Sequence, residues 1–389
     1  MIAPASVNRN SAPWEALSGQ YQLHPGTAPS IVGQRPVLGA GRLGRLLQGQ
    51  RGEQVGRTLS SVFTLCAHAH RRTADLALAA AQTGPAALPL AEPPVQLWLE
   101  TARDHLRSIA LDWPHRLPEP ANGAHNMDWL RDCPLSLATS PTLGDTASVR
   151  LALTALRAWL EQRVLGQSVV EWLASYRHPE ALLLWCQAQD DRLLPAHCLA
   201  VWHPVANALT PAMRCLDLLD EDLAVQTDRL RQLAHALAGE PEFVQQPKWL
   251  GQCAETGPWT RLRQRPGRML SQHTAWTRLS ARWMELMEIA AADPQDPIAG
   301  GVSLLAMGAL RLPNAQALAW CEMARGLLLH WVQLDADDTV QDYRVLAPTE
   351  WNFHPQGALA LALTALPFGA TVAAQTLASA FDPCVACVL

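Results

Sequence analysis

The feature that most constrains this chain is a change of hydrophobic period near residue 318. Before it, apolar residues recur at helical spacing over about Leu59 to Thr83, Val95 to Leu111, Thr146 to Leu165, Glu180 to Gln187, Asp222 to Ala238 and Thr274 to Ala292. Asp145 or Thr146 is placed to cap the third of these. After it, Gly326 to Leu334 is largely apolar and continuous, Asp335-Ala-Asp-Asp338 is turn-like, and Val340 to Ala347 is again strand-like. The fold expected is mainly α with a small β element, a hairpin near 326–347. Residues 1–40 are rich in Pro, Gly and Ser and read as loop with one short strand at most. Pro85 to Pro94 is a break, and Pro114 to Gly144 is loop-rich.

The longest uncharged stretch, Gly357 to Phe381, is interrupted by Pro367-Phe368-Gly369 and is largely alanine. Two short buried helices joined by a turn are expected there, not a membrane span. Met1 to Gln20 has no basic segment followed by an apolar one, so no signal peptide is expected. The expected location is the cytoplasm, with no membrane partner. Of the 389 residues, 49% are hydrophobic and 17% charged, which excludes wholesale disorder. The net charge of −5 argues against a nucleic-acid partner.

Nine cysteines, an odd number, point to reduced thiols and not to a disulfide scaffold. Six stand alone, mostly among apolar neighbours, and read as core residues: Cys133, Cys186, Cys198, Cys215, Cys253 and Cys321. The other three fall in patterns. Cys66 and His70 are four apart, on one face if that stretch is helical. At the other end, Asp382-Pro383 could open a helix, placing Cys384 and Cys387 in its first turn, where backbone N–H groups favour thiolate. A Cys-x-x-Cys pair can be a redox dithiol, half of a metal site, or accident. No βαβ pattern supports the first. Cys66, His70, Cys384 and Cys387 together would have the composition of a tetrahedral zinc site.

Four segments, in order, resemble the large subunit of nickel–iron hydrogenases, and more closely its shortened relatives of the HupK/HoxV type, which are hydrogenase maturation proteins. Leu46-Leu-Gln-Gly-Gln50 with Val62-Phe-Thr-Leu-Cys66-Ala-His-Ala-His70 resembles the segment ending Cys-Gly-Val-Cys-x-x-x-His. Ala324-Arg325-Gly326-Leu-Leu-Leu-His330-Trp331 resembles Pro-Arg-Gly-x-x-x-His-Trp. Ala347-Pro348-Thr349-Glu350-Trp351-Asn352 resembles Val-Pro-Thr-Thr-Trp-Asn, and Phe381 to Cys387 resembles the final Asp-Pro-Cys-x-x-Cys. No secure correspondence spans residues 85–315. The resemblance implies a shortened large-subunit-like fold, one domain over 1–389, comprising the loop-rich 1–40 segment, the 318–350 hairpin region and the 381–389 cysteine motif.

In that family four cysteines hold nickel and an iron carrying cyanide and carbon monoxide. Matched by position, the resemblance implies that Cys66 and Cys387 are the bridging cysteines and Cys384 a nickel-only one. Phe63 stands at the fourth position and cannot ligate. His70 matches a histidine beside a bridging sulfur. Arg325, and Thr349 following Pro348, match the residues beside the two cyanides. Gly44 falls where hydrogenases carry a proton-relay glutamate, the sequence ends at Leu389 without the terminal histidine, and the early Arg-x-Glu-Gly-His segment is missing. The resemblance thus implies a non-enzymatic scaffold. Its transient cofactor would be an iron with cyanide and carbon monoxide ligands, with no nickel. Its partners would be a HypC-type chaperone, a HypD-type maturation protein and the apo hydrogenase large subunit. A structural subunit of a hydrogenase-like or complex-I-like assembly, or a zinc protein on the same Cys/His cluster, are the alternatives.

Overall fold

The computed structural model describes residues 19–38, 41–82, 95–116, 127–137, 144–190, 192–220, 222–240, 242–264, 272–295 and 304–389. The Pro85–Pro94 break and much of the loop-rich 1–40 and 114–144 segments lie outside the described residues.

Four β-strands form the first layer of order: β1 (Gln20–Leu23) and β2 (Ile31–Gln34) at the N-terminal end, then β3 (Arg214–Cys215) and β4 (Ala254–Glu255), a short parallel pair. The helices through the first two-thirds are α1 (Arg42–Leu47), α2 (Glu53–Val62), α3 (Ala67–Ala81), α4 (Val95–Arg107), α5 (Thr146–Trp159), α6 (Val169–Tyr176), α7 (Pro179–Ala188), α8 (Leu194–Ala208), α9 (Leu223–Gly239), α10 (Pro258–Gln264) and α11 (Ala275–Ala291). Their starts follow the sequence. Asp145 accepts from Ser148 N at 2.8 Å, Asp222 from Ala224 N at 2.9 Å, and Thr274 from Thr277 N at 3.1 Å. α4 continues through a π-helical stretch, Ser108–Asp112, into a last turn, Trp113–Arg116. Helices α1, α6, α8 and α10 are not evident from periodicity. α8 carries Pro204 inside it, a residue that normally ends a helix.

The expected hairpin is present but is half of a larger unit. β5 (Met307–Leu312), β6 (Gln316–Met323), β7 (Gly326–Leu334) and β8 (Val340–Leu346) form an antiparallel meander in that order. The hairpin turn before β6 uses Asn314 and Ala315 at φ 59° and 53°. An alanine at positive φ carries no sequence signal, so β5 and β6 are hard to foresee. β7 is central and almost wholly buried, which explains its unbroken apolar run. α3 lies across β6 and β7, and α1 against β8.

After the meander come α12 (Pro348–Asn352), α13 (Ala358–Thr364) and α14 (Thr371–Phe381), then β9 (Ala386–Val388). α13 and α14 are the two short helices expected in place of a span. Among the described residues, no helix is long and apolar enough to cross a membrane. β9 pairs in parallel with β1, placing Cys387 opposite Tyr21. The two ends of the chain therefore meet in one sheet, ordered β2-β1-β9. Gly33 in β2 has φ 132°, and a Cβ there would stand 2.2 Å from Gln20 O, so only glycine permits this β1–β2 pairing.

Candidate functional site

The cysteine turn between α2 and α3 is not the continuous helix that the Leu59–Thr83 periodicity suggests. α2 ends at Val62, and Thr64–Cys66 form a 3-10 turn. Cys66 is the N-cap of α3 at φ −124°, so it and His70 do not share an ordinary helical face. α4 imposes this break. Arg103 Nη2 donates to Leu65 O at 2.9 Å, while the Glu100 carboxyl accepts from His68 N and Ala69 N, each at 2.9 Å. The cysteine is thus clamped on both sides of its own peptide, and Glu100 satisfies the helix-start donors that Cys66 itself leaves open.

The C-terminal motif departs from expectation too. Asp382 does not open a helix. It closes α14, at φ 44°, and Cys387 lies on a strand. The cause is that the Asp382 carboxylate is committed elsewhere. Arg282 Nη1 lies 2.7 Å from it, Arg325 Nε 3.4 Å, and Ser108 Oγ donates to it at 3.1 Å. Burial alone would raise this carboxyl, yet Arg282 and Arg325 hold it down at about 2. Cys384 and Cys387 therefore do not open a helix, and burial pushes the Cys387 thiol up to about 12.

Arg325 occupies the two-residue turn between β6 and β7 and is buried between two carboxylates, Asp382 and Asp104, the latter at 3.4 Å from Nη1. Gly326 follows at φ 133°, where a Cβ would meet Thr256 Cγ2 at 2.7 Å. Pro348 sets the first turn of α12, which carries Thr349 inward, and the Thr349 hydroxyl lies 3.1 Å from Cys384 Sγ. Cys66 and Cys387 each feel Cys384. Burial raises the Cys66 thiol most, and negative charge on Cys384 raises both further, while Arg325 opposes the rise at Cys66. The half-buried Cys384 thus acts by charge on the buried Cys66 and on the half-buried Cys387.

His70 stacks on Phe63 with ring centroids 3.9 Å apart and an 8° interplanar angle. Its Nδ1 lies 3.0 Å from His330 Nε2, and His330 Nδ1 lies 2.7 Å from Tyr343 Oη. His70 Nδ1 is thus committed to His330. Burial, with His330 second, keeps His70 neutral by pushing its pKa well down.

Gly44 is packed where a side chain cannot fit without movement. A Cβ there would stand 2.9 Å from Asp342 Oδ1 and 3.2 Å from Tyr343 O. α1 is therefore seated directly on β8 at Gly44.

Several residues of the site gave no warning. Glu100, Arg103 and Asp104 form a charged stripe on α4 that reads as a solvated face, yet all three are buried. His330 falls inside a matched motif without an assigned role. Arg35, in the proline-rich segment, pairs with Glu350 at 3.3 Å and lies over the Phe63 ring at 5.4 Å. No group of three or more His, Cys, Asp or Glu among the described residues stands close enough together to hold a metal ion unaided. The six isolated cysteines are free, and Cys186, Cys198, Cys253 and Cys321 are buried as expected of core residues. Cys133 and Cys215 are half-buried.

Cys66, Cys384 and Cys387, the Arg325 turn and the Pro348-Thr349 turn are carried by a fold of the hydrogenase large-subunit type. A family model described as nickel-dependent hydrogenase matches residues 262–389, which contain all of these except Cys66. Over nearly its whole length the chain is also 40% identical to the hydrogenase expression/formation protein HoxV of Cupriavidus necator, covering 95% of this chain and 94% of that one. It is 30% identical to the hydrogenase expression/formation protein HupK of Rhizobium leguminosarum bv. viciae, over 88% of each. An NAD+-reducing [NiFe]-hydrogenase in the H2-reduced state aligns over 91% of each chain, at 16% identity and a TM-score of 0.44. The chain belongs to the HoxV/HupK family of hydrogenase expression/formation proteins.

Proposed function

We propose that this chain is a non-enzymatic scaffold that holds an iron–cyanide–carbonyl fragment during hydrogenase maturation and passes it to the apo large subunit. Membership of the expression/formation family supports a role in maturation. What supports the finer reading is that Cys384 touches the buried Thr349 hydroxyl and acts by charge on Cys66, Cys387 and the buried Arg325. Burial raises the Cys66 and Cys387 thiols, so a cation is needed to make them thiolates. An iron that already carries strong-field ligands is a soft centre suited to thiolate. Cyanide nitrogens are acceptors that need charge-assisted or hydroxyl donors when buried, and Arg325 and Thr349 supply one of each kind. Cys66 and Cys387 are the iron ligands in this reading, Cys384 an auxiliary thiolate, and His70 orients a sulfur through Nε2.

Hydrogenase catalysis is not the reading favoured here. Phe63 replaces a ligand, and the packing of Gly44 on β8 closes the place of the proton-relay acid. A zinc site is not favoured either, since it needs its four ligands from the protein and no such group stands together among the described residues. A cargo bringing its own ligands asks for fewer. The partners would be a HypC-type chaperone and a HypD-type protein as donors and the apo large subunit as recipient, in the cytoplasm.

The test is the infrared spectrum of the protein purified anaerobically from a hydrogen-oxidising host. Two cyanide bands and one carbonyl band, lost in Cys66→Ala or Cys387→Ala, are expected. Iron-free protein with no such bands would overturn the proposal.

A further inference from the structure

The fourth-ligand position that the resemblance assigns to Phe63 is not simply vacant of a ligand. It is built over. Phe63 lies flat against His70 at 3.9 Å, and the Arg35 guanidinium covers the ring's neighbourhood at 5.4 Å from its centroid. Arg35 is 6% exposed and reaches Glu350 at 3.3 and 3.4 Å with one terminal nitrogen. Glu350 directly follows Thr349, whose hydroxyl touches Cys384 Sγ at 3.1 Å. Arg35 Nε has no hydrogen-bond partner among the described residues. The arrangement is a fixed cation, stacked and ion-paired, beside the thiol that would serve a second metal.

From this geometry we infer that Arg35 is a resident substitute for the second metal: its guanidinium supplies the positive charge that nickel would supply and excludes a divalent ion from the Cys384 side of the pocket. The inference rests on the scaffold reading for its biological meaning, but its chemistry stands on Arg35 alone. Guanidinium is suited to the task because it stays charged in any protein environment and stacks on an aromatic face. A divalent ion arriving beside it would be repelled across a few ångströms of low-dielectric interior. Negative charge on Cys384 and Cys66, together with Glu350, favours the charged guanidinium against the cost of burying it. Selectivity for a single-metal cargo then has two parts: a missing ligand at Phe63 and a repelling charge at Arg35. Restoring the ligand alone leaves the second part in place.

The experiment titrates nickel(II) chloride into the full-length apo protein under anaerobic, reducing conditions, reading the thiolate-to-nickel charge-transfer absorption against a competing chelator. The variants are Phe63→Cys, Phe63→Cys with Arg35→Gln, and Phe63→Cys with Arg35→Lys. Phe63→Cys with Arg35→Gln should bind one nickel at least about 100-fold more tightly than Phe63→Cys, from removal of one unit charge a few ångströms from the ion. The lysine variant should stay within a few-fold of Phe63→Cys. A cavity of about 90 Å3 lined by Tyr21, Arg35 and Glu350 gives water room to solvate Glu350 when Arg35 is shortened. If circular dichroism shows the glutamine variant misfolded, Phe63→Cys with Arg35→Met is compared in its place, which likewise removes the positive charge and leaves Glu350 unchanged. Equal nickel affinity in Phe63→Cys and in its Arg35-neutralised form overturns the inference. Because the probe is nickel and the protein is apo, this result is independent of the infrared test. Absent cyanide bands would sink the scaffold reading and leave Arg35-dependent rejection standing, and the converse holds.

Discussion

Asp382 allows a sharp test of how the cysteine motif is held. Its carboxylate joins Arg282 at 2.7 Å and Arg325 at 3.4 Å, all three being buried, and its backbone is left-handed at φ 44°. Asp382→Asn keeps the shape and tolerates that backbone, so it removes charge alone. Arg282 then loses its closest partner, and breaking a buried pair from one side costs about 3–5 kcal/mol. For a chain of this length that is roughly 5 °C in apparent Tm. Asp382→Ala adds about 1 kcal/mol of backbone strain on top. The same carboxyl sits at about 2 when folded against an ordinary value of 3.8. A depressed carboxyl stabilises the fold above its unfolded pKa, and that contribution fades as pH falls from about 4 to about 2. It amounts to about 2 kcal/mol, and Asp382→Asn should lack this loss. Calorimetry at one scan rate, repeated across pH, reads both effects. The double variant Asp382→Asn with Arg282→Met should recover part of the deficit by removing the stranded charge. A shift under 1 °C at pH 7 in Asp382→Asn, with acid sensitivity unchanged, would refute the anchoring argument.

Other expectations follow from single contacts. Gly44→Ala should cost about 1–3 kcal/mol by urea unfolding, because its Cβ meets the fixed Tyr343 carbonyl oxygen and not only the movable Asp342 carboxylate. Tyr343→Phe removes the partner of His330 Nδ1 and should cost about 1–2 kcal/mol in the same assay. Glu100 is raised to about 8, burial first and Asp104 second. A raised carboxyl contributes most in acid and loses that contribution as pH climbs from about 4.5 to 8. Glu100→Gln should therefore flatten the stability profile over that window, and hydrogen exchange at the His68 and Ala69 amides should accelerate.

How much of this was legible in the sequence depends on whether a residue's environment is set by near or distant neighbours. Asp145, Asp222 and Thr274 each cap a helix three residues ahead, a local event, and their helices are readable. Cys66 was readable as a site residue, but its helix break was not, because α4 imposes it through Arg103 and Glu100 across a gap of more than thirty residues. The C-terminal turn misled for a related reason. Asp-Pro has the form of a helix start, and only the distant Arg282 shows that the carboxylate is already used.

Arg35 marks the limit of such reading. Its segment has no periodicity, its partner Glu350 lies 315 residues away, and an isolated arginine among prolines reads as solvated surface. Yet the two ends of the chain meet through β1 and β9, which brings the N-terminal segment against the C-terminal cysteines. Once that sheet is formed, the charge at Arg35 cannot be neutral toward the pocket. On the proposed reading it opposes a second cation on the Cys384 side, and the ion pair with Glu350 offsets the cost of keeping it buried without any metal. On the proposed reading, Phe63 and the Arg35–Glu350 pair act on the pocket in the same direction. Reversing either alone should leave nickel binding weaker than reversing both.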